Sequence, residues 1–110
     1  MQTLFSAKSP GISVAATDAA LSAVALPAGS GNTIRVVNES ADIAFIAIGS
    51  SAVAATLPTT GAGTITSAAV QPLREIYMRR DPTSDTHIST ICRSTKTATL
   101  SVYVGDGGSN

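Results

Sequence analysis

Tryptophan is absent from this sequence of 110 residues, and cysteine and histidine occur once each, as Cys92 and His87. A lone cysteine excludes an intrachain disulfide, and with it the stapled class of small secreted domains. One histidine and one cysteine also fall short of the three or four clustered ligands of a zinc site, so no metal is expected. Charge is scarce. Asp, Glu, Lys and Arg make up 13% of the chain, against the roughly 25% usual in soluble domains, and their formal sum is zero. Such a chain lacks the basic footprint of a nucleic-acid binder, so nucleic acid is not an expected partner. It equally lacks self-repulsion, which makes association easy. No apolar run approaches the ~20 residues of a membrane span, and MQTLFSAKSP has no long apolar core of the signal-peptide type. A soluble protein without a membrane partner is expected.

Ala, Ser and Thr take the place of charge. The hydrophobic fraction of 44% fits a folded domain, and the length fits one core of two packed layers. Phe5, Phe45, Tyr77 and Tyr103 are the only aromatic residues, so that core is expected to be thin and filled by Val, Ile, Leu and Ala. Burial stabilises by about 25 cal/mol per Å2 of apolar surface, and Ala offers little of it. A domain of this kind is expected to be marginal alone and to gain stability from neighbours.

Short apolar runs alternate with turn residues along the chain. Residues 11–16 (GISVAA) and 19–26 (AALSAVAL) read as strands, the second ending at Pro27. Thr17 or Asp18 capping an Ala-rich helix over 17–26 is the alternative. After the turn 27–32 comes 33–38 (TIRVVN), with Ile34 and Val36 on one face and Arg35 and Val37 on the other. Residues 42–49 (DIAFIAIG) are the most apolar run and predict a central strand. Residues 52–57 fit a short helical turn or a strand, and 64–70 (TITSAAV) fit a short strand. Pro72 starts PLREIYMRR, where Ile76 and Met78 are predicted to face the core. Asp81-Pro82-Thr83-Ser84-Asp85 is a turn, and 86–93 (THISTICR) is expected to pair with the preceding strand as a hairpin. The last strand spans 97–104 (TATLSVYV), with Ala98, Leu100, Val102 and Val104 on one face. The whole predicts an all-β fold: one antiparallel β-sandwich or jelly-roll-like barrel of 7–8 short strands over 10–105. Residues 1–9 form an N-terminal arm and 106–110 a flexible tail in this reading.

Catalytic machinery is hard to assemble from these residues. Asp85, His87 and Ser89 share one face of an extended segment, which is the set of types a nucleophile triad uses. No G-x-S-x-G turn accompanies them, and Ser and Thr are common enough for the neighbourhood to be a polar face beside a turn. Arg93 adjoins Cys92, but successive strand side chains point to opposite faces, so a buried structural thiol is the expected role. Gly29-Ser30-Gly31 and Gly61-Ala62-Gly63 lack the Lys-Ser/Thr of a phosphate loop. Asp106-Gly107-Gly108 lacks the ligand series of a calcium loop. No enzyme and no cofactor are expected.

The basic residues are uneven. Arg74, Arg79, Arg80, Arg93 and Lys96 all follow residue 70, while Asp18, Glu39 and Asp42 lie in the first half. An ordinary solvated surface explains this, and so does a docking surface on which charge sets orientation.

The runs ALPAGSGNTIRVVNES (25–40), AFIAIG (44–49) and TATLSVYVGDGG (97–108) resemble small β-sandwich structural proteins of tailed bacteriophages, nearest to the head decoration or cement type. The resemblance spans about residues 10–108 and carries no catalytic motif to transfer. It implies a multi-copy virion component on the capsid surface, assembled in the host cytoplasm, that bridges subunits of the major capsid protein. It also implies a homo-oligomer, dimer or trimer. Leu4 and Phe5 in the arm, with Arg74, Arg79 and Arg80, are the expected contact residues. A tail or neck component is the second expectation. A carbohydrate-binding sandwich module is the third, disfavoured by the shortage of aromatics.

Overall fold

The computed structural model describes residues 6–7, 10–19, 22–27, 31–57 and 67–106. Among the described residues nine strands form, in chain order β1 (Ser6–Ala7), β2 (Ile12–Ala16), β3 (Val24–Ala25), β4 (Thr33–Asn38), β5 (Ala44–Gly49), β6 (Ala68–Val70), β7 (Glu75–Arg79), β8 (His87–Cys92) and β9 (Ala98–Asp106). No helix occurs among the described residues, so none there is long and apolar enough to cross a membrane.

The strands build two antiparallel sheets. In the five-stranded sheet β9 lies between β4 on one side and β1 and β2 on the other, and β7 extends it beyond β4. The four-stranded sheet has the order β3-β8-β5-β6. The fold is therefore a β-sandwich, and the two sheets share no strand. Period-2 alternation decides which side chains meet between them. Ile34 and Val36 of β4 and Leu100, Val102 and Val104 of β9 are buried from one sheet. Ile46, Ile88, Val70 and Cys92 are buried from the other, and all join one core. Ile76 and Met78 pack against its margin from β7, on the face the alternation predicted.

A second, smaller cluster lies on the outer face of the four-stranded sheet. There Phe45, Ala47 and Ile91 are covered by Val53, Ala55 and Leu57. This accounts for β5 being apolar on both faces. It also accounts for residues 52–57, which form neither the helical turn nor the strand expected. After a turn at 51–52 they run over the sheet without regular pairing, and the amide of Ala55 donates to the buried Ser89 hydroxyl at 2.8 Å.

Several boundaries differ from the sequence reading for one reason: the chain changes sheet more often than it turns back within one. The expected hairpin of residues 72–80 with 86–93 does not form. β7 pairs with β4, whereas β8 pairs with β3 and β5 in the opposite sheet. The Asp81–Asp85 segment is a real turn, closed by Asp85 N–H on the Asp81 carbonyl at 2.8 Å, but it is an arch between sheets. Likewise, of the expected strand 19–26, only Val24–Ala25 is strand among the described residues, and residues 20–21 lie outside them. Thr17 already leaves the five-stranded sheet, its carbonyl accepting from Cys92 N–H at 2.7 Å, and the chain crosses to reach β8. The strand expected over 64–70 is paired at 68–70, and residues 58–66 fall outside the described part. At the C-terminal end β9 continues past 104 through Asp106, because Gly105 and Asp106 pair with Ala7 and Ser6. Ser6 and Ala7, within the expected arm, thus add a short edge segment to the sheet.

Candidate interaction surface

Because Ile34, Val36, Ile76, Met78, Val102 and Val104 point inward, their neighbours in sequence must point outward from the five-stranded sheet. The register aligns them in rows. Tyr103, Arg35 and Tyr77 are Cα partners across β9, β4 and β7, and Ser101, Val37 and Glu75 form the adjacent row. The guanidinium of Arg35 lies over the Tyr103 ring, 5.4 Å from its centroid, and its Nε donates to the Glu75 carboxylate. Burial alone pulls the Arg35 pKa down, but the hydrogen bond and charge of Glu75, joined by Tyr77, hold it above its ordinary value. One residue beyond the strand, Glu39 accepts from the Ser101 hydroxyl. At the opposite end Arg79 donates to Thr33 Oγ1 at 3.3 Å.

Beside this face Arg35, Val37, Leu73, Arg74 and Glu75 line a shallow depression of about 500 Å3. Leu73 breaks two local rules there. It is 76% exposed, and its backbone is left-handed, with φ 57°. The turn Gln71-Pro72-Leu73-Arg74 closes through Arg74 N–H on the Gln71 carbonyl at 3.2 Å. It has Pro at the second position and positive φ at the third, where a type II turn favours Gly. A large apolar side chain held in solvent at a strained position is where a contact residue is looked for.

The structure separates the arginines expected to act together. Arg74 and Arg79 are exposed, beside and on this face. Arg80 is turned inward and only 9% exposed, its guanidinium donating to the carbonyls of Gly31 at 2.8 Å and Asp85 at 3.2 Å. It fixes the arch between β7 and β8. Arg93 lies away from this group, over the Phe45 ring on the other sheet at 5.0 Å. Leu4 and Phe5 lie outside the described residues. Arg35, Glu75, Tyr103 and Leu73 were not singled out by the sequence reading. The alternation in β4, β7 and β9 carried the signal for the first three, and Gln71-Pro72 as a turn start carried it for Leu73.

Asp85, His87 and Ser89 are each engaged elsewhere. The Asp85 carboxylate accepts from Asp81 N–H at 2.9 Å, Nδ1 of His87 meets the Thr86 hydroxyl at 2.8 Å, and the Ser89 hydroxyl accepts from Ala55. Cys92 is fully buried in the core, where burial, and secondarily the Asp42 and Asp18 carboxylates, push its thiol pKa up. Among the described residues no group of three or more His, Cys, Asp or Glu is placed to hold a metal ion.

No protein-family model matches the chain, and neither a curated protein nor a solved structure matches it.

Proposed function

We propose that this chain is a non-enzymatic structural protein of a phage particle, a decoration or cement protein that docks on the capsid shell and bridges subunits of the major capsid protein. The observation that supports a docking role is the Leu73–Arg74 turn beside the Arg35–Glu75 pair. An exposed apolar anchor sits there in a charged rim on a sheet face that the core does not use. The phage setting is supported by the sequence resemblance over residues 25–40, 44–49 and 97–108. The mechanism is burial of many small contacts across subunit junctions, multiplied by copy number. Low surface charge favours it, since little desolvation of ions opposes contact.

The test is cosedimentation with shells assembled from the major capsid protein of the same genome. The full chain is expected in the pellet at a fixed ratio to the shell protein. Leu73→Gly combined with Arg74→Glu, and separately deletion of residues 1–9, are expected to leave it in the supernatant. A wild-type chain that stays in the supernatant overturns the proposal.

One observation favours a second reading, a carbohydrate-binding module. Tyr77 and Tyr103 flank Arg35 in a single row, a small aromatic platform with polar groups beside it. Retention on an immobilised glycan that is lost in Tyr103→Ala, with no binding to shells, selects that reading.

A further inference from the structure

The arch from β6 to β7 is clamped at both flanks by one residue. Asn38, at the end of β4, donates from Nδ2 to the Val70 carbonyl at 3.0 Å and from its main-chain N–H to the Arg74 carbonyl at 2.9 Å. Between those two anchors the Gln71–Arg74 turn closes on itself through Arg74 N–H. Pro72 has its φ fixed by its ring. The turn is thus held in one shape before any partner arrives, and little backbone freedom is left to lose on contact.

What the clamp presents is unsatisfied in two ways. Leu73 is exposed at a positive φ that disfavours its side chain, and it gains nothing from the core in return. Arg74 is exposed, and among the described residues no hydrogen bond or ion pair engages its guanidinium. The other charges lining the depression are already used. Arg35 and Glu75 are paired with each other, so they cancel, and the charge left over is that of Arg74. Val37 is half-buried and supplies an aliphatic wall. The depression therefore offers one available cation beside the aliphatic surface of Leu73 and Val37.

We propose that this depression takes an acidic, aliphatic segment of a protein partner. An Asp or Glu carboxylate of the segment sits on the Arg74 guanidinium, and an aliphatic residue beside it packs on Leu73 and Val37. The occupant carries a carboxylate because the surplus charge of the site is positive, and a guanidinium fits a carboxylate with two parallel hydrogen bonds. It is a peptide segment because a small anion leaves Leu73 in water, whereas covering Leu73 removes apolar surface from solvent. The proposal rests on the docking role of the Leu73–Arg74 turn and adds the chemistry of what docks there.

The probe is a pair of end-capped pentapeptides, Ala-Leu-Glu-Leu-Ala and the same peptide with Gln in place of Glu. Each is titrated into the isotope-labelled full chain, and NMR follows the Leu73 methyls and the Arg74 Nε–H. The Glu peptide is expected to shift both signals saturably and to bind about tenfold more tightly than the Gln peptide, the worth of one charged hydrogen bond. Arg74→Gln is expected to erase that preference. Leu73→Gly is expected to weaken both peptides alike, and because it relieves the positive φ it does not endanger the fold. Equal binding of the two peptides overturns the proposal. So does a preference for Glu that survives Arg74→Gln, or a shift of both signals that sodium acetate alone reproduces. Cosedimentation separates this result from the capsid reading. An Arg74→Gln chain that pellets with shells as fully as the wild type overturns the acidic partner and leaves the capsid reading standing. Glu-selective peptide binding by a chain that stays out of the pellet supports the acidic partner and overturns the capsid reading.

Discussion

Asn38 is the buried polar side chain on which one corner of the sandwich depends, and its replacement has a calculable cost. It is 0% exposed. Its Nδ2 donates to the carbonyls of Asp42 at 2.8 Å and Val70 at 3.0 Å, and its Oδ1 accepts from Ser40 N–H at 2.9 Å. The side chain thus ties the end of β4 to the β4–β5 turn and, across the core, to β6. In Asn38→Ala the Val70 carbonyl, on a fully buried residue, loses the Nδ2 donor, at a cost of about 1–1.5 kcal/mol. Asp42 and Ser40 are half-buried, water reaches their groups, and each loss costs about 0.5–1 kcal/mol. The expected destabilisation is about 3 kcal/mol, measured by urea unfolding followed by far-UV circular dichroism. Asn38→Asp sharpens the case. The carboxylate keeps the acceptor for Ser40 but faces two carbonyl oxygens, so its ionised form is disfavoured and its folded pKa lies above the unfolded value of about 3.9. With the folded pKa raised, the folded state binds more protons in the window between the two pKa values. Stability relative to wild type is then highest below about pH 4 and falls as pH rises through the folded pKa. A loss under about 1 kcal/mol in Asn38→Ala, or an Asn38→Asp chain relatively more stable at pH 7 than at pH 4, refutes this account of the corner.

Three further predictions follow from single residues. The Cys92 thiol has a raised folded pKa, so its stabilisation is complete below the unfolded value of about 8.5 and is lost as pH rises through the folded one. Alkaline unfolding curves should show that limb, and Cys92→Ala should remove it. Arg80 and Arg79 are adjacent but unequal: Arg80→Met strips the buried Gly31 carbonyl and the half-buried Asp85 carbonyl of charged donors and should cost about 2–3 kcal/mol, whereas Arg79→Ala should cost under about 1 kcal/mol in the same urea assay. Thr95 is β-branched yet has φ 64° in the turn closed by Lys96 N–H on the Arg93 carbonyl. Thr95→Gly relieves that strain and should raise stability by up to about 1 kcal/mol, read as a higher thermal midpoint.

The face of each strand was legible because alternation is a local property. Ile34 and Val36, Ile76 and Met78, and Leu100, Val102 and Val104 all point where their spacing placed them. Turn residues were legible too, at Asp81–Asp85 above all. What a turn residue cannot encode is the destination of the chain. The same Asp-Pro-Thr-Ser-Asp closes a hairpin or an arch, and the choice rests on which sheet accepts the next strand. Here Arg80 settles it by anchoring to Gly31, itself pressed so close to Gly105 that an added Cβ would lie 2.2 Å from its carbonyl oxygen. Tyr103, Arg35 and Tyr77 were equally invisible as a set. They are far apart in the chain, and only the β9–β4–β7 order makes them neighbours.

By itself, then, the sequence determined an all-β domain whose strands each have a known inner face. Period-2 patterning and the scarcity of charge, cysteine and large rings do not depend on long-range pairing. Tertiary structure alone decided the strand partners, the covering of β5 by residues 53–57, the burial of Arg80 and the exposure of Leu73. Each of these depends on which distant segment packs opposite, and that is a competition among contacts no local window contains.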